Sequence, residues 1–166
     1  MSTTILARAT LVTSLALALV ATASAQSASK IKFTGVINDY SDTSNAAGAW
    51  HLTGEWSAKL DGKSGRGSFT GGLTMVRATS GVSPHTHHLT LEDGTVTELA
   101  NGTGFTITGL ADITLNGTVV FAATPVTVEL TGGSDVLPSN IKILFGGAAT
   151  GHFGAAPIDG VVSVVP

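Results

Sequence analysis

Three of the chain's five histidines fall in one run, Pro84-His85-Thr86-His87-His88-Leu89-Thr90-Leu91-Glu92, and nowhere else do side chains able to do chemistry gather so closely. Read as an extended strand with a period of two, the run points His85, His87, Leu89 and Leu91 to one face and Thr86, His88, Thr90 and Glu92 to the other. Two imidazoles therefore share the apolar side. An imidazole taken out of water needs an acceptor, an ion or a wet cavity to replace its hydration. Two histidines one residue apart on a strand lie about 7 Å apart along the chain, close enough to converge on one ion. Three chemistries fit this pattern. The first is a divalent transition-metal site on His85 and His87, completed by Glu98, Glu92 or the distant His152. The second is a metal-free polar patch in which His87 and a carboxylate, Glu98 being the candidate, orient a ligand or move a proton. The third is structural, with the rings bonded to backbone carbonyls.

The elements that must position these residues are strands. The chain beyond its first 25 residues is rich in Gly, Thr, Val and Ile, poor in charge, and has no long stretch of apolar residues at helical spacing. The dipeptides Asp61-Gly62, Asp93-Gly94, Asn101-Gly102, Asn116-Gly117 and Asp159-Gly160 read as hairpin turns. Between them run alternating stretches. Ile31, Phe33 and Ile37 share a face in Lys30 to Ile37, before a polar loop from Asn38 to Gly48. Trp50, Leu52, Trp56, Ala58 and Leu60 face inward from Ala49 to Asp61, leaving His51 outside. Gly67, Phe69, Gly71, Leu73 and Met75 do the same in the next strand. Further on the inward sets are Phe105, Ile107, Ala111, Ile113 and Leu115, then Val126, Val128 and Leu130, then Ile141, Ile143 and Phe145, with Ile158 to Val165 closing the chain. The expectation is an all-β domain, one antiparallel barrel or a sandwich of about eight or nine strands, with the long, glycine-bearing strands favouring the barrel.

Turn type at Asp93-Gly94 then decides which histidine gains a carboxylate. A two-residue turn pairs Leu89 with Glu98 and sets Glu98 on the inner face, diagonal to His87. A three-residue loop with a bulge slips the register by one and moves Glu98 opposite His88 on the outer face. The second unusual stretch, Gly146 to Gly154, reads either as a flexible loop at a barrel mouth or as a lid whose His152 and Phe153 reach over the inner histidines.

Residues 1–25 have the pattern of a secretory signal: Arg8 in the basic part, Leu11 to Val20 as the apolar run, and Ala23-Ser24-Ala25 at the cleavage site. The expectation is an exported protein, secreted or periplasmic, beginning at Gln26, with no membrane anchor in residues 26–166. With Arg8 set aside, seven basic residues face eleven acidic ones without a basic run, which argues against nucleic acid and anionic membranes as partners. The chain has no cysteine, so disulfides, iron-sulfur clusters, thiolate-ligated zinc or haem and cysteine nucleophiles are excluded. Serine-hydrolase, zincin and phosphate-loop motifs are also absent.

The spacing His85-Thr86-His87, four residues, then Glu92 resembles the first metal-binding motif of cupins, with His152 standing where their second motif supplies a ligand. That resemblance implies an iron, manganese or zinc ion on His85, His87, Glu92 and His152. The flanking glycines of the first motif fall here on Thr79 and Leu99, and the Pro-x-Gly of the second has no counterpart around His152. Two functions follow. One is a barrel that binds a small, mostly apolar ligand, with His85 and His87 as polar handles among Trp50, Trp56, Phe69, Met75 and Phe105. The other is a cupin-like metal-dependent or acid-base enzyme, an isomerase, cyclase, lyase or oxygenase, on the same histidines.

Overall fold

A computed structural model describes residues 30–41, 49–100, 102–133 and 137–164; the signal-like stretch at 1–25 lies outside them. Eight strands follow one another: β1 (Lys30–Tyr40), β2 (Trp50–Asp61), β3 (Arg66–Arg77), β4 (His85–Glu98), β5 (Phe105–Leu115), β6 (Thr118–Thr131), β7 (Asn140–Phe145) and β8 (Ile158–Val164). Every strand pairs antiparallel with the next, and β8 returns to β1, so the sheet closes into an up-and-down barrel. Closure gives every strand a hydrogen-bonded neighbour on both sides over at least part of its length. This consecutive order differs from the Greek-key order of the jelly roll on which cupins are built.

Alternation builds the interior. The inward sets read from the sequence are buried almost throughout: Phe33 and Ile37, Trp50 to Leu60, Phe69 to Met75, Leu89 and Leu91, Ile107 to Ile113, Val126 to Leu130, and Ile141 to Phe145. An eight-stranded barrel is just wide enough for such side chains to fill it. Trp56, Phe69 and Met75 have at most 3 % of their surface exposed, so they pack on protein instead of lining a hollow a water could enter. Phe105, also expected around a ligand, is half-buried opposite Glu98, far along β4 from the histidines.

Two turn assignments need correction. Asp93-Gly94 lies inside β4, which runs on to Glu98, and the register with β5 shifts between Thr90 and Thr95 as at a bulge. Gly94 is there for space: a Cβ on it would meet Ile107 Cγ2 at 2.6 Å and Leu91 Cδ2 at 2.7 Å. Asp159-Gly160 likewise lies within β8, where a Cβ on Gly160 would sit 2.6 Å from the carbonyl oxygen of Val36. The reversal after β4 falls instead between Glu98 and Phe105, tied by Leu99 N–H to the Gly104 carbonyl at 2.9 Å. Asn116-Gly117 does turn the chain, both residues having positive φ (47° and 90°), as a tight hairpin requires. β6 consequently begins at Thr118, well before the inward set Val126, Val128 and Leu130 by which it is read in the sequence, and β1 runs on to Tyr40 through residues expected as loop.

Candidate metal centre

The start of β4 lies at the barrel mouth where β3 ends, β5 ends, and the connection from β7 to β8 crosses over. His85 pairs with Met75, and His87 sits between Leu73 of β3 and Leu115 of β5. Parity holds as read: His87 is 2 % exposed and His85 half-buried on the inner side, while Thr86 and His88 are exposed. The Asn116-Gly117 turn clamps this strand start, because Asn116 N–H donates to the Thr86 carbonyl (2.8 Å) and Thr86 N–H donates to Asn116 Oδ1 (3.0 Å).

The third imidazole comes from the glycine-rich stretch, which is neither strand nor open loop. After Gly146 it forms a 3-10 turn, η1 (Gly147–Ala149), and one turn of helix, α1 (Thr150–Phe153). Gly147 at φ 59° and Gly154 at φ 97° let the chain enter and leave, and Gly154 N–H closes the turn on the Thr150 carbonyl at 3.0 Å. Phe153 is buried and stacks on Phe145 with ring centres 4.2 Å apart, and Ala149 is buried beside it. Those two side chains anchor the segment, and the anchoring turns His152 toward β4.

Hydrogen bonds fix how the rings of β4 present themselves. His87 Nδ1 lies 2.8 Å from the Thr114 carbonyl and His85 Nδ1 lies 3.0 Å from the Ser83 carbonyl. A carbonyl only accepts, so each Nδ1 carries a proton, and the tautomer this selects has its lone pair on Nε2. Both lone pairs point at His152, whose Nε2 is 2.9 Å from that of His87 and 3.4 Å from that of His85. The coordinating nitrogens of all three lie within 4.8 Å of one another. A proton on His152 Nε2 can serve one of the two lone pairs facing it, leaving the other unmet; a cation between them serves all three.

Burial sets the electrostatics. Loss of hydration pushes His87 down to about 4, against its hydrogen bond to Thr114 and with help from the positive forms of His152 and His85. Burial, and then His85, also lower His152. Both rings are therefore neutral at pH 7, the form that binds metals. Their surroundings are apolar and aromatic: Phe153 meets His87 at 5.0 Å, Phe121 lies 6.1 Å from His152, and Trp50 packs against His85 at 4.8 Å in a T-shaped contact.

Of the residues proposed from sequence, the fold gathers His85, His87 and His152, with Trp50 in the wall. It does not gather the carboxylates. Glu92 is exposed on the outer face, and Glu98 is exposed at the other end of β4, paired with Phe105, because β4 does not turn at Asp93-Gly94. His51 and His88 also stay apart; His51 bonds Asn38 Oδ1 at 2.7 Å and stacks on Tyr40. The Thr114 and Ser83 carbonyls, which set the tautomers, escape sequence reasoning because backbone atoms carry no residue signature. Phe121 was hidden because β6 was read as starting only after it. No protein-family model matches the chain, and comparison with curated proteins and with solved structures likewise finds no significant match.

Proposed function

We propose that this chain is an exported β-barrel that binds one divalent transition-metal ion at its mouth, through Nε2 of His85, His87 and His152, with a coordination position left for an outside ligand. The convergence of three lone pairs, two of them fixed by Nδ1 bonds to carbonyls, carries the reading. Two Zn–N bonds of about 2.0–2.1 Å at a tetrahedral angle set their nitrogens about 3.3 Å apart, a value between the 2.9 Å of His87 with His152 and the 3.4 Å of His85 with His152. Imidazole donors suit zinc, copper, nickel and iron, with copper(II) held most tightly among divalent ions. Three protein ligands and one open position is also the pattern of catalytic zinc sites, where bound water ionises near pH 7. A hydrolytic or lyase reaction at the ion is thus within its chemistry, whereas acid-base catalysis by His87 with Glu98 has lost its carboxylate. The small ligand belongs at this mouth and not in the barrel, whose interior side chains already pack against each other.

Calorimetric titration of chelator-treated protein with zinc or copper tests the proposal. One ion per chain is expected, with affinity reduced about 100-fold or more in His87→Ala and His152→Ala. Absence of binding, or binding that survives His152→Ala unchanged, overturns it. Metal content of protein isolated from the exported fraction then tests the cellular side.

A further inference from the structure

The mouth that holds the three imidazoles contains one more polar group without a partner among the described residues. Arg77 ends β3 opposite Trp50 of β2, and its guanidinium carbon lies 4.1 Å from the centre of the Trp50 ring. The same indole packs against His85 at 4.8 Å, so Arg77 and the first of the three histidines flank one aromatic side chain. Arg77 Nη1 is shut off from water and has no hydrogen-bond acceptor among the described residues. Trp56 Nε1 is also unpaired, but that is a neutral N–H in the core, whereas Arg77 carries a full charge. The ion pairs found among the described residues, Arg66 with Asp93 and Lys142 with Asp159, both lie elsewhere. Arg77 as a whole is half-buried, so one end of its guanidinium is enclosed, and its planar fork matches a carboxylate.

We infer that Arg77 and the histidine centre together bind a small carboxylic acid that carries a second oxygen or nitrogen donor. The carboxylate sits on the Arg77 fork, Trp50 forms a wall that both Arg77 and His85 touch, and the second donor takes the open position at the ion. The inference rests on the metal reading above and names the ligand class for that site. Arg77 and a divalent ion are both positive, so together they call for an anionic ligand, and the aromatic wall of Trp50 favours a compact organic acid over a highly hydrated one.

The test uses the whole protein loaded with cobalt(II), whose visible bands report on coordination. It is titrated with lactate and with lactamide, which has the same shape without the charge. Lactate is expected to bind about tenfold or more tightly than lactamide. Arg77→Met removes that preference while cobalt stays at one per chain, and Arg77→Lys restores it in part. An equal response to lactate in wild type and in a folded, cobalt-loaded Arg77→Met overturns the inference and leaves the metal centre standing. A protein that takes up no metal overturns the reading beneath it, and Arg77-dependent lactate binding by that metal-free chain, seen by calorimetry, would keep the anion site alone.

Discussion

His87 is the residue on which burial acts most strongly. Its folded-state value of about 4 lies below the ordinary imidazole value of 6.5, which the unfolded chain retains. Between those limits the unfolded state binds more protons, so stability is complete above about pH 6.5 and falls as the pH drops toward 4. The loss at this one ring is on the order of 3 kcal/mol, and denaturant titrations at pH 7.5 and pH 4.5 on metal-free protein should show it, with His87→Gln flattening the slope. The carboxylates set a second expectation. Glu92→Gln and Glu98→Gln should leave metal affinity within about twofold, since both are exposed and distant, whereas either would weaken it at least tenfold if it were a ligand. The histidine pair was legible because strand parity is a local property: the Leu89 and Leu91 that follow declare the inner face. Glu98 was misplaced because its position depends on where a hairpin turns, and Asp93-Gly94 offered the right residues for a turn at a place where the barrel needed only a missing side chain.

At the scale of elements, His152 depends on a helical turn too short to be stable alone, so its neighbours must hold it. Phe153→Ala should cost about 3–5 kcal/mol for the lost core side chain and should also weaken metal binding by freeing His152; a variant that loses stability but keeps full affinity would show that the segment is held otherwise. Glycines separate two roles in the same sheet. A Cβ at Gly54 would fall 1.8 Å from the Gly72 carbonyl oxygen, while one at Gly72 would meet nothing within 4 Å. Gly54→Ala should therefore destabilise by about 3 kcal/mol or more, and Gly72→Ala should be neutral or stabilising by about 0.5 kcal/mol, as thermal melts would read. The two-residue alternation of β2, β3 and β5 was plain in the sequence, whereas η1 and α1 were not, because seven residues rich in Gly and Ala carry no periodicity to read.

For the whole molecule, closure is the weak point. β8 pairs with β1 only over Thr34 to Ile37 and with β7 only over Asn140 to Ile143, while β1, β2 and β3 are paired along nearly their full lengths. Amide exchange should therefore be fastest along β8 and at Thr34–Ile37 and slowest in β2 and β3; uniform protection around the barrel would contradict this. Barrel and sandwich were equally open from strand count, since closure is set by the pairing of the first strand with the last, which no local pattern records.

His152 stands 65 residues from His87, across the barrel's last connection, in a chain that cannot form a disulfide. An ion held by both would act as a removable cross-link, fastening the β7–β8 connection to the opposite side of the opening. At a free concentration 100 times its dissociation constant it would add about 2.7 kcal/mol to the folded state, and a chelator would take that away, so the thermal midpoint of this protein should track the metal supply of its surroundings.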